Sequence, residues 1–225
     1  MFILLYMTFN NSISIIQNNF RKYKFINILN DVFDTYLIHG SRSSKKVDKL
    51  HNYIKSEIEK SLSNEYKVLL EQNIKSCNIN NRKKCDIVIY KNKELYAILP
   101  VKFIMTSYMK NKNNSWENLT GEITHLKWCN ENIHIIPINI IFDKIPVLKG
   151  ENKIIKSFEN ITYENSFKIY EKLVEYNLTT DMINYIIDVE HLCKIGEEYN
   201  QIPVIKGFNY KTPYRSFYNI FNKIK

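Results

Sequence analysis

The chain has 225 residues and a formal net charge of +9, with 44% hydrophobic and 24% charged residues. This composition is that of an ordinary globular protein and excludes wholesale disorder, and no apolar run reaches the roughly 18–20 residues that span a bilayer. The sequence has five glycines and contains neither a G-x-G-x-x-G nor a G-x-x-x-x-G-K-[ST] motif, which argues against a Rossmann or P-loop nucleotide site.

Two helices and three strands are predicted in the first half of the chain. Apolar residues recur at helical spacing over residues 12–38 and again over residues 44–62. The pattern then changes to the β-branched runs typical of strands, over residues 66–71, 85–90 and 95–103. The second and third runs flank a four-residue polar turn, so they are predicted to form an antiparallel hairpin.

The second half of the chain is predicted to contain a helix, a strand and two further helices. A polar loop over residues 110–114 leads into a helix over residues 115–128. The nearly continuous apolar run at residues 133–142 then predicts a strand buried on both faces. Two further helices are expected near residues 167–176 and 181–192.

The cysteines are too dispersed to suggest a metal ribbon or a disulfide framework. The chain has Cys77, Cys85, Cys129 and Cys193, with no C-x-x-C pair among them. A reduced, intracellular protein of the cytoplasm or nucleus is therefore expected.

The predicted hairpin brings two charged residues together. Asp86 begins its first strand and Lys102 ends its second, so antiparallel pairing places both at one end of the sheet. Metal-assisted phosphodiester hydrolysis uses such a pair, because a carboxylate can hold Mg²⁺ while a lysine orients or helps deprotonate the attacking water. A second carboxylate is normally required, since Mg²⁺ prefers octahedral oxygen ligands.

This arrangement resembles the PD-(D/E)xK nuclease superfamily. The likeness is carried by the order helix, three strands, helix, strand, with Asp86 and Lys102 at the motif positions. It implies an α/β protein with a restriction-endonuclease-like core over residues 45–143. The whole chain, residues 1–225, is then one domain whose core carries helical extensions at its N- and C-termini, over residues 1–44 and 144–225.

The motif departs from the superfamily pattern at two positions. Cys85 stands where the pattern often has proline, and Pro100 stands where it has the second acid. A subgroup of restriction enzymes takes that carboxylate from the following helix. By this resemblance Glu117, which the subgroup's spacing favours, or Glu122, which lies closer to the apolar face of the helix, completes the metal site with Asp86.

An acid on the helix before the sheet is also common in the superfamily. The resemblance therefore adds Glu57 to the catalytic candidates Asp86, Lys102, Glu117 and Glu122, with Asp86, Glu117 and Glu122 as ligands of Mg²⁺ or, as an alternative, Mn²⁺.

Basic residues cluster before the elements that carry these acids, and such loops can neutralise phosphates. We expect a DNA-binding surface formed by Arg42, Lys45, Lys46, Arg82, Lys83, Lys84, Lys110 and Lys112.

The sequence thus predicts a Mg²⁺-dependent DNA endonuclease of restriction or homing type. No membrane partner is expected, and a homodimer is compatible with the sequence. Two alternatives stay open. The chain could be a catalytically inactive, nucleic-acid-binding protein of the same fold, with Pro100 marking the lost site. It could also be a structural or interaction protein, because the abundance of Asn, Ile, Lys and Tyr and the single alanine, Ala97, indicate a codon bias that raises basic charge.

Overall fold

The protein is described by a computed structural model. The backbone is described for residues 2–40, 44–151 and 153–223, and the side chains of the same ranges except residues 2–13, 44, 46, 222 and 223. The helices are α1 (Phe2–His39), α2 (Ser44–Glu59), α3 (Tyr108–Cys129) and α4 (Glu171–Glu175), with short 3₁₀ helices at Lys168–Tyr170 and Phe217–Lys223. The strands are β1 (Tyr66–Lys75), β2 (Arg82–Lys91), β3 (Glu94–Leu99), β4 (Val101–Ile104), β5 (His134–Ile135), β6 (Ile138–Phe142), β7 (Lys144–Lys149), β8 (Ile154–Asn160), β9 (Ile183–Glu190) and β10 (Val204–Phe208).

A mixed sheet forms the centre of this α/β fold. Strands β1, β2 and β3 pair antiparallel, and β5 adds to β3 in parallel. A second set in the order β10-β9-β6-β4 contains parallel pairs except at β10, which is antiparallel to β9. The predicted hairpin is confirmed, with Ile87 opposite Leu99. After the crossover helix α3 the chain returns as β5, parallel to β3.

Two prolines divide what sequence reasoning treats as single strands. Pro100 separates β3 from β4, and Pro137 separates β5 from β6, because proline has no N–H to give to a ladder. Backbone bonds run across the break, however, since the N–H of Ile136 donates to Ile98 O at 3.0 Å and that of Ile138 to Pro100 O at 2.8 Å. The two strand sets are therefore joined through the two proline positions.

The predicted helix over residues 181–192 is wrong, because this segment is the strand β9. It lies between β6 and β10, and the side chains of Tyr185 and Ile186 on successive positions are both fully buried. Burial on both faces produces a dense apolar run that does not distinguish a strand from a buried helix. With β7 and β8 also present, the predicted helical C-terminal extension is corrected to one with more strand than helix, although α4 and its preceding 3₁₀ turn confirm the helix near residues 167–176.

The predicted polar loop over residues 110–114 belongs to α3. The helix begins at Tyr108, and its first turns carry lysines and asparagines that are mostly exposed. Polar residues on the solvent side of a helix carry no periodic apolar signal, so the predicted start at Ser115 was too late.

The expectation of no disulfide is also wrong. A disulfide joins Cys77, in the loop between β1 and β2, to Cys129 at the end of α3, while Cys85 and Cys193 are free and buried. The partners are separated by 52 residues, and they meet because the end of α3 packs on the loop between β1 and β2.

The N-terminal helix α1 is an integral part of the core, and its predicted helical character is confirmed. Phe25 is fully buried, with its ring centroid 5.3 Å from that of Tyr185 and 5.2 Å from that of Phe217. Tyr53 of α2 stacks on the same ring at 5.8 Å. Within the described ranges, no helix combines the length and the apolar character needed to cross a bilayer.

Candidate active site

Asp86 lies where β2 faces the Pro100 break. Its Oδ2 accepts a hydrogen bond of 2.7 Å from the N–H of Val101, the first residue after that proline. Burial is the largest influence on its titration and raises the pKa of Asp86 above the ordinary value of 3.8, against the opposing effects of the Val101 N–H, His51 and Lys102. Because burial disfavours the charged form of this carboxylate, a positive charge placed next to it would stabilise that form.

Glu71 of β1 places a second carboxylate beside Asp86. The pairing of Leu70 with Ile87 and of Gln72 with Cys85 sets Glu71 opposite Asp86 across the two strands. The backbone of Glu71 is in the left-handed region, with φ at 55°, which interrupts the ladder at that residue.

His51 of α2 completes a group of three donors. The ligand atoms of His51, Glu71 and Asp86 all lie within 4.8 Å of one another, and His51 Nδ1 is 3.2 Å from Glu71 Oε1. The imidazole is 1% exposed, and its Nε2 is buried without a hydrogen-bond partner. Two carboxylates and a buried imidazole whose ligand atoms converge form a donor set that fits a divalent metal ion.

Lys84 balances the charge of this group. Its Nζ lies 2.6 Å from Glu71 Oε2. Partial burial opposes ionisation of Glu71, but the hydrogen bond and charge of Lys84, together with His51, outweigh it and lower the pKa of Glu71. Glu71 is therefore held as a carboxylate, the form that binds metal.

Lys102 and Glu122 form the other half of the site. Lys102 Nζ is 3.7 Å from Glu122 Oε2, and Lys83 Nζ approaches the same oxygen at 3.1 Å. The Glu122 side chain is 9% exposed, whereas the Lys102 side chain is 44% exposed and reaches solvent. The α3 carboxylate thus fixes a lysine that remains accessible to a substrate.

Of the two acids that sequence reasoning considered on α3, the structure brings Glu122 to Lys102. Glu117 is exposed to solvent. Five helical residues separate the two side chains by about 140° around the axis, so they cannot share a face. Glu122, and not Glu117, therefore shares the face of α3 that meets Lys102.

Glu57 lies in the contact between α1 and α2. It is 2% exposed and pairs with Arg21 at 3.7 Å, Lys24 at 3.6 Å and Lys60 at 2.5 Å. Six residues separate it from His51, which turns the two side chains about 120° apart on α2. Glu57 therefore belongs to this ion-pair cluster, and His51 is the α2 residue that reaches Asp86.

The predicted nucleic-acid-binding residues are spread over several surfaces. Lys83 and Lys84 flank the site through their ion pairs, and Arg82 and Lys45 are exposed. Lys110 and Lys112 lie about 18 Å and 15 Å from Glu122 along α3. Arg42 and the side chain of Lys46 lie outside the described residues.

Sequence reasoning missed His51 and Glu71. A signal for His51 was present, since it falls beside Leu50 and Ile54 on the apolar stripe of α2, where a polar side chain is unusual. Glu71 ends the predicted first strand, but its relation to Asp86 depends on the register between β1 and β2, which spacing alone does not determine.

No protein-family model matches the sequence, and the curated proteins likewise contain no match.

Proposed function

We propose that this protein is a divalent-metal-dependent nuclease that hydrolyses phosphodiester bonds in DNA. The observation that carries the proposal is the convergence of His51, Glu71 and Asp86 within 4.8 Å. Lys102 directly follows Val101, whose N–H donates to Asp86, so the metal site and a lysine adjoin each other along the chain. This combination supports phosphodiester hydrolysis more directly than it supports binding alone.

The order of elements supports a restriction-endonuclease-like core. Helix α2 precedes the antiparallel β1, β2 and β3, and α3 leads to β5 and β6 in parallel with β3 and β4. In this core Glu71 takes the role of the acid that is absent at Pro100. An acid supplied by the neighbouring strand makes the proline compatible with a working site.

The donor set determines which metal fits. His51, Glu71 and Asp86 would hold the ion, which when bound would polarise the phosphate and stabilise developing negative charge. Mg²⁺ prefers an all-oxygen octahedral shell, whereas an imidazole nitrogen with carboxylates also suits Mn²⁺. We therefore propose that Mn²⁺ supports cleavage better than Mg²⁺.

Lys102 would act on the attacking water. Its ammonium group can orient a water molecule or the scissile phosphate, and the charge of Glu122 keeps it next to the metal ligands. This assigns Asp86 and Glu71 to metal binding, Lys102 to the reacting groups and Glu122 to the positioning of Lys102.

Cleavage of supercoiled plasmid and of end-labelled DNA and RNA oligonucleotides tests the proposal. Wild-type protein is expected to cut DNA with Mn²⁺, more slowly with Mg²⁺, and not with EDTA. Asp86→Asn and Lys102→Ala should abolish cutting, whereas Glu117→Gln, a change of an exposed acid on α3, should leave it unchanged. Cleavage of RNA alone would change the substrate class, and absence of cleavage with either metal would favour an inactive binding protein.

Salt dependence of DNA binding tests the basic surface separately. With Ca²⁺ in place of a catalytic metal, each phosphate contact contributes a log–log slope of about −0.9 on duplex DNA. If Lys83 and Lys84 both contact phosphate, their joint replacement by alanine should reduce the slope by roughly 1.8. An unchanged slope would show that they serve only their ion pairs with Glu122 and Glu71.

A further inference from the structure

The disulfide joins the two elements that carry the two halves of the site. Cys77 lies in the loop after β1, the strand of Glu71, and Cys129 ends α3, the helix of Glu122. Glu122 and Cys129 are seven residues apart, which places them about 20° apart around the helix axis and nearly two turns along it. The disulfide therefore holds the same face of α3 that presents Glu122 to Lys102.

Among the described residues, few polar contacts tie this part of α3 to strands β1 and β2. The N–H of Cys77 donates to His125 O at 3.0 Å, and Asn130 Nδ2 donates to Lys75 O at 2.9 Å. A further polar contact is the ion pair of Lys83 with Glu122, at 3.1 Å. The apolar residues Ile123 and Leu126 are buried beneath the helix, and the disulfide adds a covalent restraint at its end, where exposed hydrogen bonds and ion pairs contribute little each.

The disulfide is open to exchange. Cys77 is exposed and Cys129 is half-buried, in contrast to the buried thiols of Cys85 and Cys193. Attack by a thiolate requires access to one sulfur of the bond, and the Cys77 side of the disulfide provides it.

We propose that the Cys77–Cys129 disulfide is a thiol–disulfide exchange site whose reduction lowers the activity of the neighbouring nuclease site. The inference rests on the proposed function, because it assigns a regulation to that site. In the oxidised protein α3 is fixed and Glu122 holds Lys102. In the reduced protein the end of α3 is freed, and the Lys83–Glu122–Lys102 arrangement loosens.

The reductant is a dithiol. One of its thiolates attacks Cys77 Sγ, the Cys77–Cys129 bond breaks, and Cys129 leaves as a thiolate that takes up a proton. The second thiol of the reductant then attacks the mixed disulfide and releases Cys77 as a thiol. Two electrons pass from the dithiol, which becomes a disulfide, to the protein, which gains two thiols.

The test compares one protein preparation in its two redox states. Oxidised protein and protein reduced with dithiothreitol, each desalted, are assayed for Mn²⁺-dependent DNA cleavage, and alkylation followed by mass spectrometry confirms the state of Cys77 and Cys129. Reduction is expected to lower the cleavage rate roughly tenfold, the loss typical when a group supporting a metal site is removed. Reoxidation should restore the rate, and amide exchange around residues 122–129 should be faster in the reduced state.

Variants separate this role from simple stabilisation. Cys77→Ser/Cys129→Ser should have the low rate with or without dithiol, while Cys193→Ala should keep the full response. Circular dichroism establishes that each protein is folded at the assay temperature. Equal cleavage by folded oxidised and folded reduced wild type would overturn the proposal and leave the disulfide a purely stabilising bond.

A second readout separates this inference from the proposed function. If no DNA is cleaved in either state, the nuclease proposal fails and amide exchange around residues 122–129 decides the redox proposal. Faster exchange in the reduced protein would support control of the Glu122–Lys102 pair in a site that serves another reaction. Equal exchange in the two states would overturn it.

Discussion

Glu71 and Asp86 face each other across β1 and β2, and Glu71 adopts a left-handed backbone conformation to do so. Non-glycine residues in that region are uncommon and incur conformational strain. Lys84 and His51 already balance the charge of Glu71, whereas Asp86 is buried and has a raised pKa. The two carboxylates are thus held close together by the backbone, as a metal site requires, and this geometry does not depend on the sequence motif.

Metal binding should stabilise the protein through these residues. At a concentration of Mn²⁺ about 100 times its dissociation constant, stabilisation should be about 2.7 kcal/mol, which corresponds to a rise in Tm of roughly 5–10 °C. His51→Ala and Glu71→Gln should each remove most of the rise, measured by differential scanning calorimetry. Glu117→Gln should retain it, and an equal loss in that control would place the ion elsewhere.

Asp86→Asn should stabilise the metal-free protein at neutral pH. Because burial raises the pKa of Asp86, the folded state binds its proton more tightly than the unfolded state, so this group's contribution to stability falls as pH rises from about 3.8 through the raised pKa. Asparagine keeps an oxygen for the Val101 N–H and removes the charge. Urea unfolding in EDTA at pH 4 and pH 7 measures the difference, which should grow towards pH 7; a larger benefit at pH 4 would contradict this account.

Glu122 and Glu117 should differ sharply in their effect on catalysis. Glu122→Gln removes the charge that holds Lys102 and Lys83, so the cleavage rate should fall by about 10–100-fold. Glu117→Gln changes an exposed side chain of the same helix and should leave the rate unaltered. Single-turnover cleavage kinetics compare the two, and a slower Glu117→Gln variant would contradict the role assigned to Glu122.

Phe25→Ala should cost about 3–5 kcal/mol of unfolding free energy, since it empties a fully buried site among aromatic rings. Phe20→Ala offers a matched control on the same helix, because Phe20 is 67% exposed and its loss should change stability by no more than about 0.5 kcal/mol. Urea unfolding of the two variants measures the contrast. Similar values for both would mean that α1 does not contribute to the core as described.

Local patterns were sufficient to predict the central elements. The β-branched runs around Lys91–Glu94 predicted the hairpin, and the spacing of Trp116, Leu119, Ile123 and Leu126 predicted the crossover helix. These features depend on neighbours in the chain, where periodicity is informative. Asp86 and Lys102 were identified for the same reason, since the hairpin turn relates them.

Features that depend on distant partners were not predictable in this way. Strand β9 was assigned as a helix because its two-sided burial comes from β6 and β10, which lie far away in the sequence. The disulfide required the docking of α3 on the β1–β2 loop. Likewise, His51 and Glu71 join Asp86 only through the packing of α2 and the register of β1.

The position of β9 within the sheet determines how far the chain can be truncated. A fragment ending near residue 143 would contain every proposed catalytic residue, yet it would leave β6, whose five side chains are all buried in the full chain, without its partner strand β9. An apolar strand with an unpaired edge is a template for intermolecular pairing. Such a fragment should aggregate, so the smallest soluble form that retains the site has to extend beyond β9.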